Sequence, residues 1–253
     1  MTKKKRRHGM TMAEWAEERK SDPEWLAAQE KLKVEDRKRQ ARLEVLRQDQ
    51  APLLEDLRAA GFDVKSVWEL FNRQEPWRTD VPIPAYQEAI PILSKHLDRR
   101  YHFTVREGIV RALTVREGRV AFDRLVDEFR RTRDSSAAEQ EQAVELVSAG
   151  VGDLLSREEL EQITVANWES YRFALANAIG FHFRAEDIPL ILELLRDRGY
   201  EGHTRRRLVE CFRQKMRRWK RTEPDVITVL KQLADEGGQV GEEATKTLQI
   251  LDA

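Results

Sequence analysis

The sequence predicts an all-α chain whose later two thirds repeat one helix-pair unit. Three observations carry this. Two stretches, 88–113 and 186–212, share a layout: Ile90-Pro91 or Ile188-Pro189 opens a short apolar segment, a polar turn follows, and a second apolar segment closes the unit. In those second segments Ile109, Val110 and Leu113, or Leu208, Val209 and Phe212, fall at i, i+1 and i+4, one face of an α-helix. The composition agrees. Of 253 residues 36% are charged and 40% hydrophobic, with 12 Gly and 8 Pro, which is rich in helix formers and poor in the punctuation of an all-β chain.

Taken in order, residues 1–11 are a basic tail, expected to be disordered, with Lys3, Lys4, Lys5, Arg6 and Arg7 and no apolar run behind them, so no secretory signal is expected. Residues 12–50 read as a charged helical extension. Ser21-Asp22-Pro23 supplies an N-cap and a first-turn proline, and Trp25, Leu32, Leu43 and Leu46 are too sparse for a coiled-coil seam. The expectation is a largely exposed helix that docks at its ends. Pro52 opens a short helix that Gly61 closes as C′ residue. Asp63 is expected to cap a further helix, 64–72, with Val67, Trp68 and Phe71 on one face. Residues 74–84 hold three prolines and read as a functional loop or a linker, so 12–84 form a charged extension with capping helices.

From residue 85 a period emerges. The first core positions of successive second helices are Ile109, Ala143, Leu175, Leu208 and Ala244, spaced 32 to 36 residues apart, and their i+4 partners Leu113, Val147, Ile179, Phe212 and Leu248 are all apolar. The matching first helices are 90–97, 122–129, a weak one near 160–163, 188–195 and 226–233. A two-helix unit of this size cannot bury its apolar face alone and stacks on its neighbours. Residues 85–253 are therefore expected to form an α-solenoid of about five helix pairs.

The stretch AIPIL…VREGIVRAL resembles the short HEAT repeat through Ile90, Pro91, Val105, Arg106, Ala112 and Leu113. The copy at 169–180 matches through Arg172, Ala178 and Ile179, and that at 186–212 through Ile188, Pro189 and Arg205. The chain is similar to bacterial HEAT-repeat proteins with a charged N-terminal helix. The resemblance implies a right-handed superhelix with the second helices on its concave side. Where the family usually has an Asp six residues before the Arg, this chain has Arg100, Ala166 and Gly199.

Composition narrows the function. Lys+Arg and Asp+Glu both number 45, so no overall charge favours nucleic acid or an acidic environment. No apolar run approaches the ~20 residues of a membrane span, so a cytoplasmic protein without a membrane role is expected. The lone Cys211 rules out an internal disulfide. His96, His102, His182 and His203 show no metal-ligand spacing, and neither a phosphate loop nor a cofactor motif is present, so no cofactor or metal is expected.

The sharpest charge feature is 205–221. Leu208, Phe212, Met216 and Trp219 form its apolar stripe; Arg206, Arg213, Arg217, Lys220 and Arg221 lie opposite, flanked by Arg207 and Arg218, with Glu210 as the one acid. Such a helix, about 25 Å long, can follow phosphates, meet an acidic protein surface or simply be solvated. Residues 134–170 are the reverse, with nine acids against Arg157 alone, which suits internal complementarity or self-association. Arg111, Trp168 and Tyr171 are further candidates for the inner surface, core packing being the alternative for the two aromatics. Arg106, Arg172 and Arg205 sit on the apolar faces and are expected to be structural, since a buried guanidinium needs hydrogen-bond partners. The function expected is a non-enzymatic scaffold that holds a protein partner, one version being an immunity-type protein that neutralises a toxin. The alternative is a nucleic-acid-binding HEAT-like protein, or a DNA glycosylase-like enzyme, using the basic helix.

Overall fold

A computed structural model describes residues 11–20, 22–71, 86–134, 136–200, 202–219 and 224–251. Among them the chain is all-helical, with twelve α-helices, five short 3-10 turns and no strand. The basic tail up to Met10 and the stretch 74–84 lie outside the described residues.

The extension is two helices, α1 (Met12–Arg19) and α2 (Pro23–Asp49), rather than one. Asp22 starts the second by accepting from the backbone N–H groups of Glu24 and Trp25. Leu26 and Leu32 stay exposed, and α2 docks only through its C-terminal half, where Val45 is buried. Helix α3 (Ala51–Ala59) ends as its sequence implies: Gly61 takes a positive φ of 90°, and the Phe62 and Gly61 N–H groups return to the carbonyls of Leu57 and Arg58. The expected helix over 64–72 is not formed. Only a 3-10 turn, Val67–Glu69, is present, started by Ser66, whose hydroxyl accepts from the Trp68 N–H, rather than by Asp63. Its β-branched and aromatic residues have modest helix propensity, and its Trp68 indole donates instead to the Thr104 carbonyl, 3.1 Å away.

The remaining helices are α4 (Ile90–His96), α5 (Phe103–Leu113), α6 (Phe122–Asp134), α7 (Ser136–Val151), α8 (Arg157–His182), α9 (Ile188–Arg196), α10 (Gly202–Trp219), α11 (Pro224–Glu236) and α12 (Gly238–Leu251). Pro91, Pro189 and Pro224 each sit in a first helical turn, where the missing N–H has no partner to lose. Helices α5, α8, α10 and α12 pack side by side in that order, and α4, α6, α9 and α11 each pack on one of them. The anchors Ile109, Leu175, Leu208 and Ala244 are buried in one continuous core.

The expectation of five pairs needs correction at its centre. Residues 160–163 do not form a separate first helix but belong to the 26-residue α8. That helix is paired by α6, while α7 packs against α2 and the N-terminal half of α8. There Val144, Val147 and Val151 join Val45, Leu155 and Leu160 in a small second core. Four helix pairs and one side layer thus replace five pairs. No described helix is long and apolar enough to cross a membrane.

Candidate binding face

Buried arginines fix the helices that carry the face. Arg106 of α5 is 2% exposed and pairs with Glu128 of α6 and, at 3.2 Å, with Glu139 of α7. Arg131 binds the same two carboxylates, and the Tyr171 hydroxyl donates to Glu128. Burial raises the Tyr171 pKa above that of a free phenol, so it remains a donor. Four helices are joined by this cluster. Arg205 donates to the Leu195 carbonyl at 2.8 and 3.0 Å and pairs with Glu236 of α11 at 2.8 Å, which holds the Glu236 carboxyl below its ordinary value. Arg172 lies over the Tyr200 ring at 5.6 Å. Glu128, Glu139 and Glu236 therefore supply the carboxylates for Arg106 and Arg205, where Arg100 and Gly199 stand in place of Asp.

Trp168 and Tyr171 are 2% and 0% exposed and pack with Phe103. They are core residues and line no surface, which corrects their candidacy as binding residues. The sequence missed two other aromatics on the same helix. Phe173 and Phe181 are 38% and 47% exposed. At about 100° per residue both fall within roughly 60° of Ser170, on the side of α8 opposite Leu175. Their phase against the buried anchors was the available signal.

Around these rings the junctions between helices are closed by polar bonds. Ser170 Oγ donates to Glu107 Oε1 at 2.7 Å, and Arg111 Nε donates to the same oxygen at 2.8 Å. Arg207 Nε donates to Asn177 Oδ1 at 3.1 Å, with its guanidinium 5.9 Å from the Phe173 ring centre. Lys215 Nζ donates to the Phe181 and Phe183 carbonyls at 2.7 and 3.1 Å, a cation placed at the C-terminal end of α8 where the helix dipole favours it.

The basic helix is less free than its sequence suggests. Arg206 and Arg207 both bind Glu210, and Arg213 binds Glu243 of α12 at 2.9 Å. Burial acts to raise the Glu210 pKa, but the bonds from Arg207 and Arg206 outweigh it and the pKa is lowered. The side chains of Arg217, Arg218 and Trp219, and all of Lys220 and Arg221, lie outside the described residues. Described acids of the stretch 134–170 have bonds elsewhere. Glu139 joins the Arg106 cluster, Glu141 and Glu161 bind Arg157, and Glu159 binds Lys38.

The histidines close helix ends. His96 ends α4 between the Asp56 carboxylate at 2.9 Å and the Tyr101 hydroxyl at 2.6 Å. His102 caps α5 by accepting from the Thr104 N–H, and burial pushes its pKa down to about 4. His182 sits 2.7 Å from the Leu113 carbonyl, its pKa also lowered to about 4, by burial. Among the described residues no group of His, Cys, Asp or Glu is placed to hold a metal ion. Cys211 is buried against Gly180, and burial raises its thiol pKa.

Two cavities lie away from this face, beneath α2. One of about 200 Å³ is lined by Leu43 and Leu46 of α2, Val147, Leu160 and Ile163. A neighbour of about 440 Å³ shares Leu43, Leu46 and Thr104 and extends to Trp68 and Val105. Comparison with protein-family models, curated proteins and solved structures finds no match to this chain.

Proposed function

We propose that the chain is a non-enzymatic, HEAT-like scaffold that holds a protein partner on the face made by α5, α8, α10 and α12. In this reading the four helix pairs form a short right-handed solenoid, with that face on its inner side. The observation that carries the reading is the exposure of Phe173 and Phe181 on a helix whose other large apolar residues are mostly buried. Aromatic and Arg side chains dominate the energetic centres of protein interfaces, and paired guanidinium groups already held in place lose little freedom on binding. Arg111, Arg206 and Arg207 supply such groups around the two rings. The internal pairing of Arg206, Arg207 and Arg213 weighs against a phosphate-tracking helix, because each phosphate contact has to displace a carboxylate.

The test is affinity capture from native lysate with wild type and the double variant Phe173→Ala/Phe181→Ala. Both rings are exposed, so the double variant is expected to melt within a few degrees of wild type and to lose the captured protein. Recovery of nucleic acid in place of protein would refute the reading, as would capture that the double change leaves intact. For duplex DNA the signature is a log–log salt slope of about −3, at about 0.9 per phosphate contact, abolished by neutralising Arg206, Arg213 and Arg217.

A further inference from the structure

The two cavities beneath α2 have an unusual lining. Their walls are Leu43, Leu46, Val105, Ile163 and Trp68, among others, and their charged members are Arg39, Arg42, Arg47 and Lys65. Among the described residues neither lining contains an Asp or Glu. In a chain with equal numbers of acids and bases, four cations without a carboxylate around an apolar channel is a marked bias. Arg39 and Arg47 do have carboxylate partners, Asp36 and Glu44, but these lie one turn back on α2. Both arginines are more than 60% exposed. Exposed pairs of that kind are weak, and a guanidinium can turn from one to a new anion at little cost.

The apolar part is open rather than sealed. Leu43, shared by both cavities, is 52% exposed. A large aliphatic side chain half in water at the junction of two apolar cavities gains if another apolar body covers it. The Trp68 indole N–H is already satisfied by Thr104, so its ring can line a greasy channel with no unmet polar group. The larger cavity, about 440 Å³, falls in the range of about 300–1,000 Å³ typical of small-molecule sites, and the smaller adds about 200 Å³. A recessed channel of this size takes a flexible chain more readily than a folded surface.

We propose that this channel binds a single-chain amphiphilic anion, a free medium-chain carboxylate, with its head at Arg39 and Arg42 and its hydrocarbon tail along Leu43, Leu46 and Trp68. The site is separate from the α8–α10 face and stands or falls independently of the protein-partner reading.

The experiment titrates the full chain with laurate, decanoate and laurylamine below their micelle concentrations, read by calorimetry and by tryptophan fluorescence. Laurate is expected to saturate one site. Decanoate, two methylenes shorter, is expected to bind about 15-fold more weakly, from about 0.8 kcal/mol per buried methylene. Laurylamine, with the same tail and the opposite charge, is expected to bind at least tenfold more weakly than laurate, about the 1.4 kcal/mol that one favourable head-group contact supplies. Leu43→Glu and Arg42→Glu are each expected to weaken laurate at least tenfold, with melting temperatures near wild type, while Val120→Glu, at an exposed position outside the channel, leaves it unchanged. Equal binding of laurate and laurylamine would overturn the proposal. So would laurate binding indifferent to Leu43→Glu and Arg42→Glu together, or the absence of saturable binding. Co-sedimentation with phosphatidylglycerol vesicles that survives both changes would place the affinity on a lipid surface and likewise overturn it.

Discussion

Gly180→Ala sets two physical effects against each other with opposite signs. Gly180 lies inside α8, where Ala is the better helix former by about 1 kcal/mol, so propensity alone predicts a gain. The packing predicts a loss. A Cβ at Gly180 would fall 2.3 Å from the Cys211 Sγ and 2.4 Å from its Cβ, where carbon atoms in contact normally sit about 3.5–4.0 Å apart. The thiol can rotate aside, but the Cβ is fixed to the α10 backbone. The two helices therefore have to part by about 1 Å, an overpacking that typically costs about 1–3 kcal/mol. A clash at 2.4 Å with a fixed Cβ belongs to the upper part of that range, so the loss wins, and Gly180→Ala is expected to destabilise by about 1–2 kcal/mol net, a fall of several degrees in Tm for a chain of this size. The partner change separates the causes. Cys211→Ala keeps the Cβ and gives little relief. Cys211→Gly leaves only the Cα, 3.9 Å away, so in that background Gly180→Ala should become neutral or stabilising. The assay is urea unfolding followed by far-ultraviolet circular dichroism across the full double-mutant cycle. A Gly180→Ala chain as stable as wild type, or one whose loss Cys211→Gly does not reverse, would refute the close packing of α8 on α10.

Two further predictions concern buried polar groups. His102 and His182 have folded-state pKa values of about 4 against an ordinary 6.5. The unfolded chain therefore binds protons first, and stability is complete above pH 6.5 and lost as pH falls toward 4, by at most about 1.4 kcal/mol per pH unit for each histidine. Urea midpoints at pH 7.5, 6 and 5 should show this decline, and His102→Asn, which keeps an N-cap acceptor without a titrating ring, should make it shallower. Glu236→Gln removes the anion beside the buried Arg205 guanidinium and is expected to destabilise by about 3 kcal/mol. Arg205→Met added to it should recover part of that loss, and a double variant no more stable than Glu236→Gln would show that the pair is not the cause.

Much of the helix layout was legible because it rests on local signals. Ile90-Pro91 and Ile188-Pro189 open helices since proline fits a first turn, and the spaced anchors mark buried faces whatever their tertiary partner. The centre of the chain was misread because the period was extended across it. Residues 157–179 contain neither Gly nor Pro, and without a breaker the helix simply continues. Ala143 fits the spacing and reaches the main core, yet it sits on α7, whose Val144, Val147 and Val151 serve a second core. The partners of the buried arginines were not legible either, since Glu128 and Glu139 reach Arg106 from other helices and no local rule brings them together. Trp168 and Tyr171 illustrate a related limit. An amphipathic ring suits a binding surface and a core equally well, and only the three-dimensional neighbours decide. The two cavities beneath α2 depend on how α2 docks against α7 and α5, which the sparse apolar positions of α2 do not encode.

The continuity of α8 also bears on how the chain comes apart. Repeat arrays ordinarily fray from their ends, each unit opening at its own free energy. Here one rod of 26 residues, about 39 Å long at 1.5 Å per residue, belongs to the α2–α7 layer at one end and to the α5–α10 stack at the other. A helix fixed at both ends transmits strain instead of absorbing it. Hydrogen exchange is therefore expected to show the middle of the molecule opening as one block, with α11 and α12, which pack mainly on each other and on α10, opening at lower free energy.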